Sequence, residues 1–285
     1  MSIYKKIEGQ LYRPKTIEQI EEILDNYTTS QAPAQLKKDR LLLNKEQTTD
    51  LLEKIVKPAF SELTGIKITH KIPMVMSSGS DLIDSIRYDS GTALTYAVTM
   101  EVLTKMILKK KLSLVNLIAG YTSAIASSTI SKRNLAGLSK KNHIYVKQLD
   151  DIQMPQVLAH ELTHFVRLHG LGWYKFYKTL DIIEEGLATT VGLQIHKTIQ
   201  NASEDLTAAS QLKQAYFLIR AKEHIIKASD GKTHPKKTRL KRFTTANFGS
   251  GKYYLGYALF AIAVEKHGDD VIKKAIKGDY SSLFD

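Results

Sequence analysis

Apolar residues recur at helical spacing along most of this chain and at strand spacing only briefly. Residues 16–24, TIEQIEEIL, read as a helix with Thr16 as its N-cap. Residues 30–33 are loop-like. Residues 44–60 read as a second amphipathic helix, opening at Asn44 and meeting Pro58 near its end. Residues 66–76, rich in β-branched side chains, read as strands around Pro73. A Ser-Gly break covers 77–80, with Asp81 as a cap. Residues 92–108 predict a buried helix, Lys109 to Lys111 its polar end, and 112–130 a second apolar helix. A basic loop spans 131–142, and residues 142–146, NHIYV, carry a short strand signal. Strong helices are expected over 153–168 and 179–198. The Lys/Arg-rich stretch 227–242, with Gly231 and Pro235, reads as a mobile loop. A helix over 253–267 should stop at Gly268, followed by a short one over 269–276. No internal repeat or long low-complexity tract interrupts this order.

Composition narrows the class. A chain of 285 residues with 43% apolar and 25% charged residues is a folded globular protein with a full-sized core. Zero cysteines exclude a disulfide framework, a thiolate metal site, an iron–sulfur cluster and a cysteine nucleophile. Any metal must be held by His, Asp or Glu. The balance of 41 basic and 29 acidic side chains gives 41 − 29 = +12. This charge is spread along the chain, as on a lysine-rich surface. It leaves room for an acidic partner at the basic loops, while nucleic acid is disfavoured. Residues 112–130 carry no charge but hold Asn116, Gly120 and several Ser and Thr residues. They fit a buried or groove-facing helix, so no integral membrane span is expected. The opening MSIYKKIEGQLYRPK lacks an apolar core and a small-residue cleavage site, so a cytoplasmic location is expected. Dedicated export without such a signal would leave no trace here.

The chemistry concentrates in His160-Glu161-Leu162-Thr163-His164, inside the apolar helical run 157–166. Histidines at i and i+4 share a helix face, so both imidazoles can reach one ion. Glu161, beside the first histidine, can serve as base to a metal-activated water. A chance match is expected only about 0.01 to 0.02 times in a chain of this composition.

A catalytic zinc site takes three protein ligands and keeps one position open. The next expected helix supplies Glu184 and Glu185, flanked by Ile182, Ile183, Leu187 and Ala188. A carboxylate in so apolar a stretch needs a partner, and a metal is one. The two glutamates face about 100° apart, so a single one is expected to bind. The remaining histidines carry less. His70, His196, His224, His234 and His267 read as structural or surface residues. His143 and His169 lie where they could approach a cleft.

These elements resemble the zinc metallopeptidases of the gluzincin type, the peptidase MA-like group that includes thermolysin and aminopeptidase N. The match rests on HELTH (His160 to His164), on EEGLA (Glu184 to Ala188), and on Tyr253-Tyr254-Leu255-Gly256. It covers residues 142–276, about half the chain. The resemblance implies His160, His164 and Glu185 as ligands of one zinc ion, with Glu184 behind them or facing substrate. It implies Glu161 as the catalytic base. It also implies Tyr253 as hydroxyl donor to the oxyanion, with Tyr254 and Tyr257 as alternatives. Residues 142–146 would be the edge strand along which an extended substrate adds. Two departures matter. No Gly-x-Met-Glu-Asn-like segment precedes the zinc helix, which favours an endopeptidase over an aminopeptidase. Thr189 stands where thermolysin has an aspartate that holds a histidine.

The expectation is therefore an α+β, zincin-like two-lobed metallopeptidase fold, mostly helical, with a small mixed sheet beside the zinc helix. A helical region over 1–60 should pack on or over a catalytic domain at 61–285. That domain would divide into an upstream lobe, 61–175, with edge strand and HExxH helix, and a helical lobe, 176–285, with the third ligand. The expected partner is a peptide or protein substrate. The competing expectation is a non-catalytic zincin-fold binding or regulatory module, and behind it a basic nucleic-acid-binding protein.

Overall fold

The computed structural model describes residues 3–28, 40–77, 137–139, 143–172, 176, 179–229 and 251–284. The expected helices over 92–130, the break over 78–80 and the basic stretch beyond residue 229, with His234, lie outside the described residues.

The chain opens with α1 (Ile3–Leu11) and α2 (Pro14–Thr28). Proline suits a first helical position, where its missing N–H has no intrahelical partner to lose. Pro14 therefore starts α2 earlier than expected, and Thr16 is not its cap. Thr16 lies buried inside the helix and donates its hydroxyl to the Gln10 carbonyl at 2.5 Å, tying α2 to α1.

Asn44 does open α3 (Lys45–Leu51). It accepts the Gln47 N–H at 2.9 Å while the Gln47 side chain accepts the Asn44 N–H at 2.9 Å, a reciprocal capping box. The helix then widens into a π turn, Leu52–Val56, before α4 (Lys57–Thr64). Lys57 donates its N–H five residues back, to Leu52 O, and Pro58, which has no N–H, follows at once. The wide turn makes room where proline would otherwise crowd the preceding turn, so the helix runs through Pro58 to a left-handed Gly65.

The sheet has strand order β1-β3-β2, built from β1 (Met74–Ser77), β2 (Gly137–Ser139) and β3 (Ile144–Lys147). β3 runs parallel to β1 and antiparallel to β2. Three expectations change here. The strand signal over 66–76 reduces to β1, which begins just after Pro73. The basic loop over 131–142 contains β2. The segment expected as the edge strand is central, because β3 pairs on both sides, with Ile144 and Val146 fully buried. Of these strands, β2 is the outer one that lies against the HExxH helix.

That helix is α5 (Gln153–Leu171). It is followed by α6 (Asp181–Gln194), a 3-10 turn at Ile195–Lys197, α7 (Glu204–Ser229), α8 (Gly251–His267), α9 (Asp270–Ala275) and a last 3-10 turn at Ser281–Leu283. Gly268 stops α8 with φ 71°. No element was expected over most of α7. Its buried face runs Leu206, Ser210, Gln214, Leu218, Ala221, Ile225. That spacing is helical, but two of the positions are polar, so the apolar period is broken.

The described protein is thus mostly helical with one small sheet, an α+β arrangement. One hydrophobic core runs from Ile7 to Leu283, and residue 60 falls inside α4. Each Leu, Ile, Val, Met or Phe side chain fully buried there contributes about 1.5–3 kcal/mol. No helix among the described residues is long and apolar enough to cross a membrane.

Candidate metal centre

Three helices meet at the site, and α6 is the middle one. Its buried residues run almost unbroken from Ile182 to Gln194. Where α6 crosses α5, Gly192 allows the close approach: a Cβ there would lie 2.7 Å from Gln156 O and 3.3 Å from the His160 Cβ. Where α6 crosses α8, Gly186 and Gly256 face each other with no side chain between them. Asp150 steadies the start of α5 by accepting the N–H groups of Ile152 and Gln153 at 3.1 and 2.7 Å, as a carboxylate at a helix N-terminus should.

The result places His160 and His164 of α5 against Glu185 of α6. The two Nε2 atoms are 3.2 Å apart, and each lies 3.5 Å from Glu185 Oε2. Ligand atoms on a tetrahedral zinc ion at about 2.0–2.1 Å are separated by roughly 3.3 Å. The three observed separations fit that triangle. Glu185 Oε2 is moreover buried, and the two imidazole nitrogens at 3.5 Å are too far for good hydrogen bonds to it, a gap that a cation held between the three atoms would fill. Among the described residues these three form the group suited to hold a metal ion.

The electrostatics agree. Burial opposes charge on His164, yet the Glu184 and Glu185 carboxylates outweigh it and push its pKa up to about 10. Burial likewise opposes charge on Glu185, but the facing imidazoles of His160 and His164 hold its carboxyl well below the usual range. The cluster is built to attract positive charge.

Glu184 faces elsewhere. Its Oε1 is 3.1 Å from His164 Nδ1, and its Oε2 accepts the Arg167 Nε–H at 2.8 Å. A proton on His164 Nδ1 is thereby held, and the proton on Nε2 is the one a metal would displace. Arg167 is fully buried. It also donates to the Ala275 carbonyl at 2.6 Å and to the Tyr280 hydroxyl at 2.5 Å. The chain beyond α8 therefore backs the His164–Glu184 pair through one guanidinium. Sequence reasoning passed over Arg167. The signal was its place at i+7 from His160, a cation on the ligand face between the apolar Val166 and Leu168. Lys252, which donates to Glu185 Oε1 at 3.0 Å, was also passed over and carries no comparable signal.

Glu161 is buried, and its charge acts on both His164 and Tyr253. Tyr253, at the start of α8, has its ring centroid 6.4 Å from that of His160. Burial, followed by the Glu185 and Glu161 carboxylates, pushes the Tyr253 hydroxyl up. Its two alternatives point away. Tyr254 stacks on His224 at 5.9 Å and meets Phe217 at 5.1 Å. Tyr257 is fully buried and donates to Gln214 Oε1 at 3.1 Å.

Thr189 is buried on α6, and the carboxylate that meets His164 Nδ1 comes from Glu184. His169 packs on Phe165 at 4.4 Å, with His70 at 6.1 Å from the same ring. His143 meets Tyr145 on the sheet. His196 is buried with Nδ1 2.9 Å from the Leu193 carbonyl, and His267 ends α8. Comparison with protein-family models, with curated proteins and with solved structures gives no match.

Proposed function

We propose that this chain is a zinc-dependent peptidase of zincin-like, two-lobed fold and the gluzincin type, cleaving peptide bonds within its substrates. One observation carries the reading: His160 Nε2, His164 Nε2 and the buried Glu185 Oε2 converge at tetrahedral ligand spacing. A zinc ion held there supplies Lewis acidity and brings the pKa of a bound water toward about 7.

The protein's own groups do the rest. Glu161, one residue after the first ligand, takes the proton of the attacking water and passes it to the leaving amine. The Tyr253 hydroxyl stays protonated among its carboxylate neighbours and donates a hydrogen bond to the oxyanion. An extended substrate pairs along the outer edge of β2, the strand beside α5. The missing Gly-x-Met-Glu-Asn-like segment supports internal cleavage. A cytoplasmic setting belongs to the same proposal.

The test assays wild type and Glu161→Gln for bound zinc and for cleavage of a mixed peptide library. The expected result is about one zinc per chain in both, with chelator-sensitive cleavage in wild type alone. Zinc in both with cleavage in neither would point to a binding module instead. Absence of zinc from both would overturn the reading.

A further inference from the structure

Glu185 is shared between two sources of positive charge. Its Oε2 faces the paired imidazoles, and its Oε1 accepts a hydrogen bond from Lys252 Nζ at 3.0 Å. Lys252 is itself held in place. Asp181 Oδ2 lies 3.8 Å from the ammonium, which sits 5.1 Å from the centre of the Tyr253 ring. A compact ammonium with three donors can serve two carboxylates together, and the aromatic face adds a cation–π contact.

We propose that Lys252 is a positioning residue that restricts Glu185 to single-oxygen ligation of the metal, so that the remaining coordination position stays open. The inference rests on the zinc reading above. Carboxylates bind metals through one oxygen or both. A charge-assisted hydrogen bond takes one lone pair of Oε1 and holds that oxygen toward Lys252, which leaves Oε2 turned toward the histidines. A second carboxylate oxygen would fill the position that a catalytic site reserves for water. The neighbouring glutamate is restrained by the same logic. Both oxygens of Glu184 are taken, by His164 Nδ1 and by Arg167 Nε. Two cations thus assign two adjacent glutamates to different tasks.

The sign of the effect separates this role from simple support. A cation beside the site repels a metal ion. Removing Lys252 should therefore leave zinc affinity equal or higher while the coordination changes. A residue that merely buttressed Glu185 would weaken metal binding when lost, commonly about 10- to 100-fold for outer contacts of this kind.

The experiment uses the full chain as wild type, Lys252→Met and Lys252→Arg. Co2+ is loaded as a spectroscopic probe, and Zn2+ affinity is measured by competition with a chromophoric chelator. Wild type and Lys252→Arg should show the intense visible bands of four-coordinate cobalt. Lys252→Met should lose most of that intensity as a fifth donor joins, with zinc bound at least as tightly as in wild type. Lys252→Gln carries the test if Lys252→Met fails to fold. A wild-type cobalt spectrum in the variant, or weakened zinc binding, overturns the role given to Lys252 alone. Failure of wild type to take up either metal overturns the metal centre itself.

Discussion

Gly186 and Gly256 touch backbone to backbone where α6 crosses α8. A Cβ on Gly186 would lie 2.6 Å from the Gly256 carbonyl carbon. One residue before Gly186 is Glu185, and three residues before Gly256 is Tyr253. The crossing therefore sets how closely the expected third ligand and the expected oxyanion donor approach. Since the obstacle is backbone on both sides, neither helix can yield by turning a side chain. Gly186→Ala should cost about 3 kcal/mol or more through overpacking, read as a lower urea midpoint. Gly9→Ala, in α1 with open space around it, should be neutral or gain up to about 1 kcal/mol. Equal stability of Gly186→Ala and wild type would count against this packing.

The two glutamates of α6 should fail differently. Glu185→Ala removes a ligand and should abolish stoichiometric zinc binding. Glu184→Ala leaves the fully buried Arg167 without its ion pair, a loss of about 3–5 kcal/mol, and should weaken zinc by about 10- to 100-fold. Metal analysis with thermal melts of both variants separates the outcomes. Full zinc in Glu185→Ala would move the ligand assignment elsewhere.

Tyr253→Phe should lower peptide hydrolysis by about 10²–10³ while zinc is retained, the scale of losing one oxyanion donor. Tyr254→Phe should leave the rate unchanged, because that ring packs on His224 and Phe217. Tyr257→Phe should cost about 1 kcal/mol through its lost hydrogen bond to Gln214, without a fall in rate. A slow Tyr254→Phe enzyme would contradict the orientation of α8.

Burial lowers the pKa of His196 below its usual 6.5. Well above 6.5 the group is neutral in both states and contributes no pH dependence. As pH falls through about 6.5 toward the depressed folded value, the unfolded chain takes up the proton first, so the contribution of His196 to stability declines across that window. His196→Gln should flatten the decline. Urea midpoints at pH 7.5 and 5.5 test this, and an equal drop in both proteins would refute it.

The HExxH pair was legible because it is local: residues at i and i+4 share a helix face whatever surrounds them. The caps at Asn44 and Gly268, and most helices, were legible for the same reason. α7 was not, because Ser210 and Gln214 fill buried positions by hydrogen bonding to Gln156 and Leu193, and such pairing is invisible to an apolar period. β3 was expected at the sheet edge because the resemblance implied it there, and nothing in residues 142–146 specifies that both its sides are paired. Its neighbours come from Met74–Ser77 and Gly137–Ser139, and strand order is a long-range property.

The sequence by itself determined that this chain is cysteine-free, largely helical and equipped with two histidines and a glutamate within five residues of one helix. These follow from residue type and spacing. Residue pattern left Glu184 and Glu185 open, and Glu185 and Tyr253 stood out through the resemblance. Only the tertiary structure decided how the glutamates divide, with Glu185 Oε2 facing both Nε2 atoms and Glu184 on His164 Nδ1. The choices depend on helix crossings at Gly186, Gly192 and Gly256, and on two cations, Arg167 and Lys252, that engage one glutamate each. Rotating α6 by a single residue would exchange Glu184 for Glu185, and the difference between those arrangements lies in contacts that no local pattern encodes.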